Sequence, residues 1–301
     1  MPLYVDEGKA RALLDMDGVI AAVRNAFLAQ AEGQVKNVPR TRAKLLGNSV
    51  NITAASEASA GRYCVKIYGG GNYHINLYDV RQGLLAIFEA DWMGQLRTGA
   101  TNGLAASRMA RPESKRVGLI GAGRQAVAQL MALESVGLQG EVCVYARRRE
   151  QGVAFCEDMS NRLRATLRLV NSAEEAICDA DIVVTATNSS TPVFNQEALR
   201  IGAHINTMGA SSAERLELDP ALIQKAALLA SDDIVQARTE AAEFITLGAE
   251  FDWRRLQPLC TLVSADAFIR GETDLTIFKS LGAGLEDLAV ASLLYDRLQQ
   301  S

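Results

Sequence analysis

Residues 117–126 read VGLIGAGRQA, an apolar run that leads directly into a glycine-rich turn. Gly121, Gly123 and Ala126 fit the pattern GxGxxA, which binds dinucleotides where it joins a strand to a helix. The first glycine permits a tight turn, and the second lets the backbone approach a pyrophosphate. The start of the helix then offers free N–H groups to the phosphates. The residues predicted to contact the cofactor at this turn are Gly121, Gly123, Arg124 and Gln125.

Around this turn the sequence alternates between short apolar runs and helical patterns. The predicted strands are 117–120, 141–146, 167–170, 181–187, 204–210 and 227–233. Strands and helices that alternate in this way form a parallel sheet with helices on both faces, so we predict an α/β fold with a doubly wound Rossmann sheet. Thr187 and Asn188 follow one strand, and Asn206 and Gly209 lie in the next. These residues would either face the cofactor or cap the strand ends.

The end of the second strand in such a sheet distinguishes NAD(H) from NADP(H). An acidic residue at this point holds the ribose 2′-OH of NAD, whereas here Ala146 is followed by Arg147, Arg148 and Arg149. Guanidinium groups suit a 2′-phosphate. We therefore predict NADP(H) as the preferred cofactor and NAD(H) as the alternative, with Ala146, Arg147 and Arg148 at the site. The arginines would otherwise form a solvated helix start.

The sequence on either side of this region has a different pattern. Apolar residues at helical spacing predict a helix over 17–32, and strand-like runs joined by turns fill 62–90. An alanine-rich helix is predicted over 98–109, and 111–114 indicate a linker. The amphipathic stretch 285–298 predicts a further helix.

Composition limits the classes of protein to be considered. The 301 residues carry a formal net charge of −4, so no basic excess favours nucleic acid as a partner. No apolar stretch reaches the length of a membrane span and the N-terminus lacks a secretory signal, so we expect a cytoplasmic protein with no membrane partner. Cys64, Cys143 and Cys178 lie in apolar runs and are predicted to be buried and reduced. His74 and His204 are far apart and the cysteines lack metal spacing, so no metal site is expected.

Several further motifs occur in a fixed order along the chain. They are PR at 39–40, VK at 65–66, RTGAT at 97–101, GAGRQA at 121–126, HINTMGA at 204–210, ELD at 217–219 and FKSLGAGLEDLAVA at 278–291. With these motifs the chain resembles the ornithine cyclodeaminase/mu-crystallin family over almost its whole length. That family includes cyclodeaminases, alanine dehydrogenases, ketimine and cyclic-imine reductases, and a hormone-binding crystallin.

The resemblance implies a homodimer of two-domain subunits. Residues 1–112 and 278–301 would form a discontinuous α+β domain for substrate binding and dimerisation, and 113–277 the Rossmann domain. Arg40 and Arg97 would grip the α-carboxylate of a small imino, amino or oxo acid, because guanidinium matches carboxylate in a two-pronged hydrogen bond. Lys66, desolvated and with a lowered pKa, would orient or protonate the reacting C–N bond, which makes Lys66 and Arg97 the predicted catalytic residues.

The resemblance also adds residues at both predicted sites. Met208 and Leu281 join the cofactor-binding set, and Ser211 and Gly282 join the substrate-binding set. Without the motif matches, Arg40 and Arg97 would be read as surface ion-pair residues and Lys66 as an outward-facing strand residue.

Two departures from the cyclodeaminase pattern guide the choice of reaction. Cyclodeaminases carry an Asp where this chain has Ser211, and their connection at 69–72 is longer. The missing carboxylate argues against ornithine cyclisation. The leading hypothesis is therefore an NAD(P)H-dependent reductase of ketimines such as cyclic imine carboxylates, with amino acid oxidation as the reverse. The alternatives are alanine-dehydrogenase-like reductive amination of a 2-oxo acid, ornithine cyclodeamination, and a non-enzymatic NADPH-dependent ligand-binding protein.

Overall fold

The computed structural model describes residues 1–46, 48–137, 140–265 and 270–300. The chain divides into two compact units, which we call unit 1 (Met1–Thr101 with Gly282–Ser301) and unit 2 (Asn102–Leu281). The roles predicted for the two domains, and their predicted limits at 112–113 and 277–278, stay predictions.

Unit 1 begins with β1 (Leu3–Val5), α1 (Glu7–Leu13), α2 (Met16–Ala31), β2 (Val35–Leu45), β3 (Asn48–Glu57), β4 (Arg62–Gly69), β5 (Asn72–Asp79) and β6 (Gly83–Glu89). Helix α3 (Asp91–Met109) follows and continues into unit 2. Unit 2 then contains β7 (Val117–Ile120), α4 (Arg124–Ser135), β8 (Glu141–Tyr145), α5 (Arg149–Ser160), β9 (Thr166–Leu169), α6 (Ala173–Ile177), β10 (Ile182–Thr185), β11 (His204–Thr207), α7 (Pro220–Lys225), β12 (Leu228–Ser231), α8 (Ile234–Glu240), α9 (Ala242–Ile245), β13 (Leu256–Pro258), α10 (Leu259–Ser264) and β14 (Thr276–Lys279). Short 3₁₀ helices span Gln196–Ala198, Gly248–Glu250 and Trp253–Arg255, and α11 (Gly284–Gln300) returns to unit 1.

The strands of unit 1 form one sheet in the order β1-β6-β5-β4-β3-β2. The pairs from β2 to β6 are antiparallel, and β1 is parallel to β6. Helix α11 packs on α2 and on the strands around β3 and β4. Because side chains alternate across a strand, Cys64 and Lys66 on β4 are both buried while Ile67 is exposed.

Unit 2 is built on a parallel sheet in the order β13-β12-β14-β11-β10-β7-β8-β9. Strands β7, β10, β11, β12 and β14 are buried along their whole length, as expected of a sheet covered on both faces. One apolar cluster contains Ile120, Val183 and Ile205, and another contains Leu119 and Val184. The alternation of side chains between two cores confirms the predicted doubly wound α/β fold.

Several predicted boundaries need correction. Helix α3 begins at Asp91 and not near residue 98, because the Glu7 carboxylate accepts hydrogen bonds from the backbone N–H groups of Asp91 and Trp92 and caps the helix from a distant part of the chain. The three strands predicted after β9 are each shorter than expected, because their last residues belong to the loops that follow.

The expectation that three cysteines are buried is confirmed only for Cys64. Cys143 is half-buried on β8, and Cys178 is exposed directly after α6. No helix in the described ranges is long and apolar enough to cross a membrane. In that same part of the chain, no three His, Cys, Asp or Glu side chains form a group that could hold a metal ion.

Candidate active site

The glycine turn of unit 2 joins β7 to α4. Gly121 has a φ of +106°, and a Cβ there would lie 2.5 Å from the carbonyl oxygen of Ala186, so both conformation and space require glycine. Gly123 is the N-cap residue of α4, and as a glycine it has no side chain to supply a capping hydrogen bond. A Cβ at Gly123 would meet nothing within 4 Å, so open space lies beside this helix start. A helix N-terminus next to open space fits a dinucleotide pyrophosphate.

The three arginines after β8 differ in their contacts. Arg148 donates two hydrogen bonds to the side-chain oxygen of Gln151, and Gln151 donates to the carbonyl of Ala122 in the glycine turn. Arg149 donates to the side chain of Asn171. Exposed Arg147 makes no hydrogen bond to any residue that the structure describes. Arg147 is therefore the guanidinium left available to an anion near the glycine turn.

Further predicted cofactor residues lie in or directly after β10, β11 and β14. Thr187 is half-buried and Asn188 exposed, while Met208 and Leu281 are buried. Asn206 is fully buried, and its amide group contacts the His204 ring and donates to the Asn102 carbonyl. Its side chain is thus engaged inside unit 2.

Sequence reasoning missed a carboxylate at these strand ends. Glu217 is fully buried and accepts hydrogen bonds from the backbone N–H groups of Thr187 and Gly209. The only sequence signal was its place in the ELD motif at 217–219.

Lys66 and Arg97 meet in unit 1 at the first turn of α11. Nζ of Lys66 lies 2.9 Å from Oδ1 of Asp287, and Nε of Arg97 lies 3.2 Å from the same oxygen. Arg97 also donates to Glu286 at 2.6 Å. Glu286 and Asp287 were quoted in a motif but not predicted as site residues, because acids in the first turn of a helix ordinarily serve its dipole.

Arg40 and Gly282 complete this cluster. Nη2 of Arg40 donates to the carbonyl of Gly282 at 3.0 Å. Gly282 has a φ of +80°, and a Cβ there would lie 2.5 Å from the Arg97 guanidinium. Glycine at this position therefore lets the backbone approach Arg97 closely. Ser211, the remaining predicted substrate residue, is half-buried in unit 2 after β11.

Burial and neighbouring charges set the protonation of the cluster. Burial lowers the pKa of Lys66, and Arg97 adds to this effect while Asp287 partly opposes it. Burial would raise the pKa of Asp287, but the cations of Lys66 and Arg97 outweigh it and hold that pKa below its usual value. Asp287 is therefore ionised at neutral pH. Burial also raises the pKa of Tyr68, whose ring lies 5.5 Å from Nζ of Lys66.

The formal charge of the cluster is positive. Arg40, Lys66 and Arg97 each carry one positive charge. Glu286 and Asp287 supply one negative charge each, so these five side chains together retain one positive charge. Three basic side chains in one cluster make it a candidate site for the carboxylate of a small acid.

Known proteins resemble this chain over almost its whole length. A model of the ornithine cyclodeaminase/mu-crystallin family matches residues 7–301. The alanine dehydrogenase of Archaeoglobus fulgidus is 31% identical, with 98% of this chain and 94% of that protein aligned. The structure of Thermococcus litoralis Δ1-pyrroline-2-carboxylate reductase in complex with NADH and L-proline is similar with a TM-score of 0.94 and 28% identity, over 99% of this chain and 98% of that one. An archaeal alanine dehydrogenase dimer with bound NAD gives a TM-score of 0.92 and 27% identity, over 99% and 96% of the two chains.

Proposed function

Since the chain belongs to the ornithine cyclodeaminase/mu-crystallin family, whose relatives named above are NAD(P)-dependent oxidoreductases acting on CH–NH or CH–NH2 groups, we propose that it reduces imino acids. The substrate is a ketimine carboxylate, such as a cyclic imine whose C=N carbon bears the carboxylate. A bound nicotinamide supplies the hydride that adds to that carbon. The C=N electron pair moves to nitrogen, which takes up a proton, and the product is the amino acid.

The single observation that carries this proposal is the gathering of three basic side chains, those of Arg40, Lys66 and Arg97, in one cluster. Arg40 and Arg97 bind the substrate carboxylate, because guanidinium groups match its two oxygens. Lys66 directs its ammonium at the imine nitrogen and holds the proton there. Its ion pair with Asp287 fixes the direction of the ammonium, so the protein contributes chiefly by positioning the reacting groups.

Reductive amination of a 2-oxo acid is the second candidate. The same cations would bind the carboxylate, and the 31% identity to an alanine dehydrogenase favours this reaction. It differs from imine reduction because it consumes free ammonia with an open-chain oxo acid. Ser211 stands where a cyclodeaminase carries Asp, which argues against ornithine cyclisation.

We further propose a preference for NADP(H) and a homodimeric assembly. The exposed guanidinium of Arg147 near the glycine turn supports binding of a 2′-phosphate. The dimer bound to NAD among the similar structures supports the assembly, and size-exclusion chromatography with light scattering tests it.

Oxidation of NADPH and of NADH against a substrate panel tests the proposed activity. The panel holds cyclic imine carboxylates, and 2-oxo acids with ammonia or with methylamine. We expect turnover with the cyclic imine carboxylates without added ammonia. Turnover that requires ammonia and an open-chain oxo acid would favour the second candidate. Tight NADPH binding without turnover of any member would indicate a binding protein and overturn the proposal.

A further inference from the structure

The buried carboxylate of Glu217 connects the ends of two adjacent strands in unit 2. Its Oε2 accepts from the hydroxyl of Thr185 at 2.9 Å and from the hydroxyl of Thr207 at 3.2 Å. The same oxygen accepts from the backbone N–H of Gly209 at 2.7 Å, and Oε1 accepts from that of Thr187 at 2.7 Å. Four donors satisfy this charge in the interior, where an unbonded carboxylate would be very costly.

A second buried pair holds the backbone of Glu217. Its N–H donates to Oε1 of Glu243 at 3.2 Å. Nζ of Lys279 lies 2.9 Å from the other oxygen of Glu243, and both side chains are buried. Lys279 neutralises Glu243 and belongs to β14, the neighbour of β11. The position of Glu217 is thereby fixed relative to the sheet.

The two N–H donors belong to the loops that leave β10 and β11. Thr187 follows β10 and Gly209 follows β11, and both are among the residues predicted to face the cofactor. These loops lie in direct contact, since a Cβ on Gly209 would overlap the backbone N and O of Thr187. A single carboxylate therefore sets both their separation and the direction of their peptide groups.

We propose that Glu217 is a positioning residue that sets the affinity for the dinucleotide by holding Thr187 and Gly209 in place. The inference rests on the proposed function, because it requires that unit 2 binds NAD(P)H. It assigns Glu217 no contact with the cofactor or the substrate.

The substitution Glu217→Gln tests this inference while preserving size. The amide oxygen can replace Oε2, which accepts from three donors, but the NH₂ group then faces the N–H of Thr187 as donor against donor. The Thr187 loop can escape this conflict by moving away from the position that binds the dinucleotide. The free-energy cost of one conflicting buried donor then corresponds to a loss of about tenfold in affinity. We expect the Kd for the better of NADPH and NADH, measured by nucleotide fluorescence, to rise about tenfold.

Asp181→Asn supplies a matched control. Asp181 precedes β10, at the opposite end of the strand from Thr187, and its carboxylate also accepts from two backbone N–H groups, those of Lys115 and Arg116. This variant also loses a buried carboxylate, and we expect a lower thermal midpoint with wild-type Kd. Thr185→Val, which removes one hydroxyl donor to Glu217 with little change in shape, should raise Kd about threefold and remains informative if Glu217→Gln does not fold.

Each outcome of this set has a definite meaning. Weaker dinucleotide binding in Glu217→Gln or Thr185→Val, with wild-type binding in Asp181→Asn, supports the inference. Wild-type Kd in every folded Glu217 or Thr185 variant overturns it, as does equal weakening by Asp181→Asn. A wild-type protein that binds neither NADPH nor NADH overturns the proposed function and this inference together, whereas binding that ignores Glu217 overturns the inference alone.

Discussion

Lys66 and Asp287 form a buried ion pair with 2.9 Å between Nζ and Oδ1, although the two residues are 221 positions apart in the chain. The same oxygen of Asp287 contacts Arg97, so one carboxylate separates two cations. The ion pair fixes the direction of the Lys66 side chain and favours its charged form, which burial disfavours. Activity should therefore depend on both members of the pair.

Replacing Lys66 by methionine should lower kcat/KM by about 100-fold or more, since proton transfer by a positioned group contributes roughly that factor. The matched control is Lys36→Met, which removes an exposed lysine of β2 in the same sheet. The control should keep wild-type kinetics, and both variants should bind the dinucleotide normally. Steady-state kinetics with a cyclic imine carboxylate measures both variants. Full activity of Lys66→Met would contradict the role of Lys66.

The alkaline limit of activity should reflect the lowered pKa of Lys66. Activity that requires the ammonium falls as pH rises through this pKa, which lies below the usual 10.5. Asp287→Asn removes an interaction that raises the pKa of Lys66, so the decline should begin at a lower pH than in the wild type. Profiles of kcat/KM against pH for the wild type, Asp287→Asn and Thr53→Val measure the change. Thr53→Val removes only the hydroxyl bonded to Asp287 and should keep the alkaline decline at the wild-type pH. An alkaline decline that does not move in Asp287→Asn would refute its assignment to Lys66.

The two glycines of the turn should respond differently to alanine. At Gly121 a Cβ meets Ala186 and the φ is positive, so Gly121→Ala should destabilise unit 2 by about 1–3 kcal/mol. At Gly123 there is open space, so Gly123→Ala should keep its thermal midpoint but weaken dinucleotide binding about tenfold. Thermal unfolding and nucleotide fluorescence separate the two effects. Normal binding in Gly123→Ala would place the pyrophosphate elsewhere.

Arg147 should determine the response to the 2′-phosphate. Arg147→Ala should raise the KM for NADPH about tenfold and leave that for NADH near its wild-type value, because only NADPH carries the phosphate. Arg149→Ala is the control, since its guanidinium is bonded to Asn171. The KM values for NADPH and NADH are measured side by side in both variants. An equal rise in the two KM values in Arg147→Ala would refute the proposed preference.

His204 should make the protein sensitive to mild acid. Its ring is fully buried between Thr276 and Asn206, and burial, with Arg270 adding to it, lowers its pKa to about 3. The folded state therefore keeps His204 neutral, whereas the unfolded chain takes up a proton below pH 6.5. The free energy of unfolding should fall by up to about 1.4 kcal/mol per pH unit between pH 6.5 and pH 3.

His204→Gln tests this dependence through urea denaturation at a series of pH values. The variant should be about 1–3 kcal/mol less stable at neutral pH because a ring hydrogen bond is lost. Its further loss of stability in acid should be smaller than that of the wild type. Parallel pH dependence in the two proteins would assign the acid sensitivity to other groups.

Much of unit 2 could be predicted from the sequence, because its strands and its glycine turn are each marked by neighbouring residues in the chain. The glycine turn at 121–126 and the buried strands on either side contain their own evidence in residue type and spacing. β14 was missed because its four residues TIFK end in a lysine. Lys279 is buried only because Glu243 pairs with it across the fold.

Unit 1 was less predictable, because its strands and its charged cluster depend on contacts between residues that are distant in the chain. β2 contains Pro39 and many polar residues, and its pairing with β3 shifts between Val38 and Thr41, so it has no regular alternation. The basic residues of the cluster were found through family motifs. Their acidic partners Glu286 and Asp287 lie inside one of the quoted motifs but were not predicted to be site residues, because only the folded chain brings α11 to β4.

Unit 1 is assembled from both ends of the chain, with unit 2 between them. During synthesis, Lys66 and Arg97 are translated long before α11, and domains generally fold as units. Until α11 has been made, Lys66 and Arg97 lack the carboxylates of Glu286 and Asp287. The cluster of Arg40, Lys66, Arg97, Glu286 and Asp287 should therefore assemble only after α11 has been translated and released from the ribosome.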